Sequence, residues 1–187
     1  SVSRKYEASV VVRITGDCPL IDPSLVDDAI EYFLKENLDY VTNSNPPSYP
    51  DGLDIEVFSS KVLYEAHNFT DKPFDLEHVT PYIRNNKKLN TENLKYDVDL
   101  SHLRWTLDES ADLEVIKRIY KNFSPNIDFS WKDVLNLHTN NQNIFHENQD
   151  IARNEGSNMS KGQKLYKRAK EIIPGGNMLL SKRPEMF

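Results

Sequence analysis

The chain has 187 residues, a formal net charge of -6, 38% hydrophobic and 28% charged residues, and a mean hydropathy of -0.64. That balance argues against a general nucleic-acid backbone binder, which needs Lys and Arg to neutralise phosphates, although one small phosphate site needs only a local positive patch or a metal. Cys18 is the only cysteine, so there is neither an intrachain disulfide nor a C-x-x-C site, no stretch approaches the roughly 20 apolar residues of a membrane span, and no signal peptide opens the chain. A reducing, cytoplasmic setting follows, with no nucleic acid and no membrane as partner.

Ala8 to Ile14 is an apolar run interrupted only by Arg13, and it reads as a buried, parallel, central strand. It ends at Gly16-Asp17. Pro23 and Ser24 are helix-start residues, and Leu25, Ala29, Ile30, Phe33 and Leu34 supply an apolar stripe through about Glu36. Asp39 to Ser44 is the next strand, which completes a βαβ unit. Residues 45–52, NPPSYPDG, are too rich in proline to be regular and read as an active-site loop or a surface turn. Ile55 to Phe58 is a short strand, Ser59 or Ser60 caps a helix through about His67, and Phe74 to Asn86 supplies another. Tyr96 to Asp99 and Leu103 to Leu107 look extended. Ala111 to Asn122 is helical, and Trp131, Val134 and Leu135 mark the last helix of a domain that spans 1–138. From about Thr139 the composition turns polar, so 139–160 reads as a linker. One more amphipathic helix, Gly162 to Ile173, stops at Pro174-Gly175-Gly176, and 161–187 looks like the start of a further domain.

Two carboxylates stand just beyond apolar segments, Asp17 after the first strand and Asp108 after Leu103 to Leu107. Side by side at one sheet rim they would offer two hard oxygen ligands, which suits Mg²⁺ completed by water and substrate phosphates. Helix capping is the competing explanation for Asp108, Asp112 and Asp22. Arg13, inside a buried strand, needs a carboxylate partner or a bound anion. Arg104 and Trp105 point to opposite faces, one of which should meet a ligand or partner subunit. Tyr49, Asp51, Asp54 and Glu56 offer the acceptors that sugar hydroxyls need, and His78 is a further polar candidate. Cys18 fits buried packing better than nucleophilic work, since no histidine is placed to activate it.

RITGDCPLIDP, YPDGLDIEVF, EHVTPYIRNN and SHLRWTLDESADLEVI, in this order between about Tyr6 and Leu137, resemble the spore-coat polysaccharide biosynthesis cytidylyltransferases, relatives of the acylneuraminate and KDO cytidylyltransferases. The resemblance implies an α/β, Rossmann-like nucleotide-diphospho-sugar transferase fold with a mixed, mostly parallel sheet. It also implies transfer of CMP from CTP to a sugar or sugar acid, with Mg²⁺ and release of pyrophosphate, for surface polysaccharide. By motif, Asp17 and Asp108 match the metal-binding, catalytic aspartates. The Y-P-D-G-L-D loop and His78 fall where the family lines its sugar pocket. Arg13 and Arg104 are counted with the substrate-binding candidates.

Family members begin with a strand and a glycine- and arginine-containing loop that reads the base and wraps the triphosphate. The chain has no such loop before its first strand, so the N-terminal part of the nucleotide half is expected to be missing, the fragment to be inactive alone, and a homodimer to cover the open sheet. Met159 to Gly176 resembles the start of a class III aminotransferase of the glutamate-1-semialdehyde aminomutase type. Its pyridoxal phosphate (PLP) would belong to a downstream domain. The alternative function is a non-catalytic nucleotide- or sugar-binding module fused to that aminotransferase.

Overall fold

Three consecutive β-branched valines favour extended backbone, and with Arg13 they form β1 (Val10–Arg13) after a short α1 (Val2–Lys5). Asp22 starts α2 (Pro23–Lys35): its Oδ1 accepts the Ser24 N–H at 2.8 Å, while Pro23 occupies a first-turn position that needs no backbone donor. Leu25, Ala29 and Phe33 recur every four residues and bury one face of this helix. β2 (Tyr40–Thr42) and β3 (Glu56–Ser59) follow, and β3 runs straight into α3 (Ser60–Phe69), whose Val62 N–H donates to Ser59 Oγ. The remaining elements are α4 (Pro81–Asn85), β4 (Thr91–Asn93), α5 (Ser110–Phe123), α6 (Trp131–Asn140) and a 3-10 turn at Gln142–Ile144. The computed structural model describes residues 2–69 and 79–153, and the chain divides into two units, Ser1–Asp150 and Ile151–Phe187. The expected helix at Gly162 to Ile173, the tail for which an aminotransferase likeness is expected, His78 and residues 74–78 of the expected Phe74 to Asn86 helix lie outside the described residues, and the described remainder of that helix is the short α4.

The described strands are ordered β1-β3-β2-β4, with β3 antiparallel to both its neighbours and β4 parallel to β2. The connection from β1 through α2 to β2 is therefore a βαβ unit split by β3. This corrects the expectation of a mostly parallel sheet with β1 at its centre, since two of the three pairings are antiparallel and β1 is half-buried at one end of the order. An apolar run shows that a strand is wanted but not which neighbour it takes. The register aligns Arg13, Glu56, Thr42 and Asn93 across all four strands, so one polar row crosses a single rim of the sheet.

Alternation then builds a core on each face. Val41 and Val57 face Leu53, Ile55, Trp105, Val115 and Ile119, while Tyr40 and Phe58 face Val62, Ala66 and Ile83. Residues 103–107 are extended as expected, yet they make one bridge outside the sheet. The Asp51 N–H donates to Leu103 O at 2.8 Å and the Trp105 N–H returns to Asp51 O at 2.7 Å. Gly52 sits at this crossing with φ +101°, and a Cβ there would lie 2.5 Å from Thr106 N and 2.6 Å from the Trp105 carbonyl carbon. Both obstacles are backbone, so Gly52→Ala is expected to destabilise the fold by about 3 kcal/mol, read as a lower urea midpoint at unchanged slope.

The polar run after Thr139 is not all linker. Phe145 is buried and stacks on His138 with ring centroids 4.0 Å apart, and Asn148 is buried, so residues through Asp150 belong to the first unit. Polar composition concealed these two anchors, because single buried residues in a turn leave no periodic trace.

Candidate active site

Backbone contacts join the segments that carry the two candidate carboxylates. The Asp17 carbonyl accepts the Leu107 N–H at 2.9 Å and the Thr106 hydroxyl at 3.1 Å, which stitches the loop after β1 to the segment before α5. Partial burial and then the nearby charge of Asp17 hold the Asp108 carboxyl above its ordinary range, against the opposing pull of Arg104, whose Nη2 is 3.5 Å from Asp108 Oδ2. Two carboxylates that repel across a partly exposed rim form a site that a cation would relieve. Among the described residues no group of three or more His, Cys, Asp or Glu could hold a metal. Asp108 does not cap α5, whose N-cap is Glu109.

Beside this rim lies a cleft of about 130 Å³ lined by Arg13, Thr15, Ser44, Asp54, Glu56 and Arg84. Thr15 Oγ1 is 3.3 Å from Cys18 Sγ, which connects the cleft wall to the Asp17 loop. Glu56, buried at the centre of the polar row, accepts from Arg13 Nη1 at 2.5 Å, Tyr40 Oη at 2.6 Å and Thr80 Oγ1 at 2.7 Å. Burial, followed by the Glu56 charge, pushes the Tyr40 phenol far above its usual value. A second cavity of about 430 Å³ lies along β2 and β4 and includes Thr42, Asn93, Lys95 and again Arg84.

The other expected site residues divide between cleft and scaffold. Asp54 lines the cleft beside Glu56, although only Glu56 is in a strand. Arg13 is paired with Glu56 and its side chain is 30% exposed. Tyr49 is packed between Tyr96 and Trp131, with ring centroids 5.4 and 5.6 Å away, which places it in the core. Asp51 is buried and ion-paired to Arg104 at 3.4 Å. Arg104 and Trp105 are both buried in the protein: Arg104 forms two 2.8 Å bonds to Asp112, and Trp105 is fully buried. Asp22 caps α2 and also accepts the Trp131 N–H at 2.7 Å, joining the starts of α2 and α6. Cys18 is buried, and burial first, then Asp17, lift its thiol to about 11, so it carries little thiolate at neutral pH.

Thr15, Ser44, Thr80 and Arg84 were not singled out from the sequence. Arg84 stands inside EHVTPYIRNN, yet an arginine in a short helix looks like a solvated face, and only the two cavities distinguish it.

A family model described as cytidylyltransferase matches residues 1–151. The chain belongs to the cytidylyltransferase family. An uncharacterized protein of Methanocaldococcus jannaschii, MJ1063, is 32% identical over 178 residues, covering 91% of this chain and 66% of that relative. The spore coat polysaccharide biosynthesis protein SpsF of Bacillus subtilis is 29% identical over 152 residues, covering 79% of this chain and 62% of SpsF. A solved cytidylyltransferase structure from Leptospira borgpetersenii superposes with a TM-score of 0.75 at 29% identity, over 81% of this chain and 64% of that one. The cytidylyltransferase chain thus has the α/β, Rossmann-like nucleotide-diphospho-sugar transferase fold, and it spans about two thirds or less of the length of these relatives. Residues 161–187 lie beyond the family match. Among the described residues no helix is long and apolar enough to cross a membrane.

Proposed function

We propose that this chain carries the metal-binding and acceptor side of an enzyme that transfers CMP from CTP to a hydroxyl of a sugar or sugar acid, for surface polysaccharide. The observation that carries the reading is the stitching of the Asp17 and Asp108 segments at one rim, next to a polar cleft. SpsF, named for spore coat polysaccharide biosynthesis, and the Leptospira cytidylyltransferase support it by likeness.

In the reaction the acceptor oxygen bonds to the α-phosphorus of CTP, the bond to pyrophosphate breaks, and the hydroxyl proton is lost. The protein's part is to position the hydroxyl and to stabilise charge. Asp17 and Asp108 would hold Mg²⁺, which takes one or two protein carboxylates and fits this two-carboxylate set. When bound, the ion supplies positive charge against the phosphate oxygens. Asp54, on the cleft wall, is placed to accept from acceptor hydroxyls, and Ser44 and Thr15 add further polar contacts.

The deciding experiment measures pyrophosphate release from CTP by a protein carrying this sequence with its natural flanking regions, across a panel of sugars and sugar acids. Acceptor-dependent release is the expected result. Binding of CTP or sugar without release under any metal condition would overturn the reading in favour of a non-catalytic binding module. A fused PLP-dependent domain rests on the likeness of Met159 to Gly176 alone. A homodimer is supported by exposed apolar side chains such as Ile14 and Tyr6, which a second subunit would cover.

A further inference from the structure

Among the described residues Arg84 alone lines both cavities, the 130 Å³ cleft and the 430 Å³ cavity along β2 and β4. It stands on α4, a helix of five residues that has little stability of its own and must be held by tertiary contacts. The anchor is Thr80. Threonine before a helix ordinarily turns its hydroxyl to a first-turn N–H. Here the Thr80 side chain makes no such cap, and its Oγ1 donates instead to Glu56 Oε1 at 2.7 Å. Val79, just before it, has φ +67°, a left-handed conformation that a β-branched residue adopts only when surrounding contacts impose it.

Charge in the cleft is polarised. The negative charge of Glu56 is committed to Arg13. Asp54 lines the small cleft only, whereas Arg84 also reaches the larger cavity, whose charged lining is completed by Lys95 and Glu92. A ligand matching this pattern presents hydroxyls at the Asp54 end and an anionic group at the Arg84 end.

We infer that Arg84 takes an oxyanion, carboxylate or phosphate, where the two cavities meet, and that Glu56, acting through Thr80, is the residue that positions it. This deepens the acceptor half of the proposed transfer and relies on that reading only for the role of the ligand.

The sign of one substitution separates positioning from charge. Titrations of the 187-residue chain with glucuronate, inorganic phosphate and glucose, read by calorimetry and by the arginine side-chain NMR signals, should show both anions preferred over glucose. Arg84→Gln should abolish the preference. Glu56→Met removes the negative charge near the anion together with the acceptor for Thr80 Oγ1, so Coulomb's law alone predicts roughly fivefold tighter binding, whereas loss of the Thr80 anchor predicts roughly fivefold weaker binding. Thr80→Val changes no charge and should weaken binding by a similar factor, with the thermal midpoint checking that each variant is folded.

Weaker binding in Thr80→Val, and in Glu56→Met where it folds, is the expected result. An unchanged Thr80→Val, or a tighter Glu56→Met, overturns the positioning role. Equal binding of glucose and the anions overturns the oxyanion site itself. Preference for glucuronate over phosphate assigns the site to an acceptor carboxylate, and the reverse assigns it to a phosphate. Binding is read without turnover, so a negative titration leaves the transfer reaction standing, and absent pyrophosphate release leaves the anion site standing.

Discussion

Asp17→Ala and Asp108→Ala, each made in a protein carrying this sequence with its natural flanks, are expected to lower kcat/KM for CMP transfer by on the order of 10³-fold. That corresponds to the several kcal/mol of charge stabilisation that a bound divalent ion provides. The two losses should be strongly non-additive, because either change dismantles the same two-carboxylate set. Neither should unfold the protein: the Asp108 side chain is 39% exposed and caps no helix, while Asp17 contributes its carbonyl, not its carboxylate, to the stitch with Thr106 and Leu107. A second readout is titration of the surviving carboxyl. Asp108 is held above its ordinary range by burial and by the charge of Asp17, so it should titrate at lower pH in Asp17→Ala. Turnover within about threefold of wild type in either variant would remove that residue from the proposed metal site.

Arg104→Met is expected to cost about 3–5 kcal/mol of stability, because it leaves a carboxylate buried without its counter-charge. Asp112 is fully buried and accepts Arg104 Nε and Nη2 at 2.8 Å, Asn148 Nδ2 at 2.8 Å, and the backbone N–H groups of Asp108 and Glu109 at 3.0 and 2.9 Å. Burial pushes its carboxyl upward, but these donors, Arg104 first, outweigh it and the net shift is downward. The sign of the pH dependence follows. A carboxyl depressed in the folded state contributes stability that is complete above its unfolded value near 3.8 and is lost as pH falls through its folded value. Without Arg104, burial dominates, and the acid limb of the stability curve should move to higher pH. Denaturant melts at pH 7 and pH 3 on both proteins check magnitude and sign. A loss under about 1 kcal/mol at pH 7 would show that the pair is not structural.

The order β1, α2, β2, β3, α3, α5, α6 was legible in the sequence, without α1 or β4, because these helices carry apolar residues at helical spacing and polar starts such as Asp22, Ser59 and Ser130. Strand pairing was not. Val10 to Val12 read the same whether the neighbour is parallel or antiparallel, so the insertion of β3 between β1 and β2 had no signature. At the site, Asp17 and Asp108 stood out because each ends an apolar run. For Arg13 and Arg104 the sequence left a carboxylate partner or a ligand open, since an isolated charge in an apolar segment does not name its partner, which lies 8 residues away for Arg104 and 43 for Arg13 with Glu56. Tyr49 misled for the opposite reason: an aromatic residue in a proline-rich loop suggests exposure, and its burial depends on Tyr96 and Trp131 from distant segments.

Asn148 donates to Asp112 Oδ1 at 2.8 Å and to the Arg104 carbonyl at 3.2 Å from within the polar stretch that follows α6. Anyone cutting this protein for expression would be tempted to stop at residue 138, where the apolar pattern fades. Such a clone would discard a donor to the buried ion pair and the ring that covers His138, and a boundary beyond Asp150 keeps both.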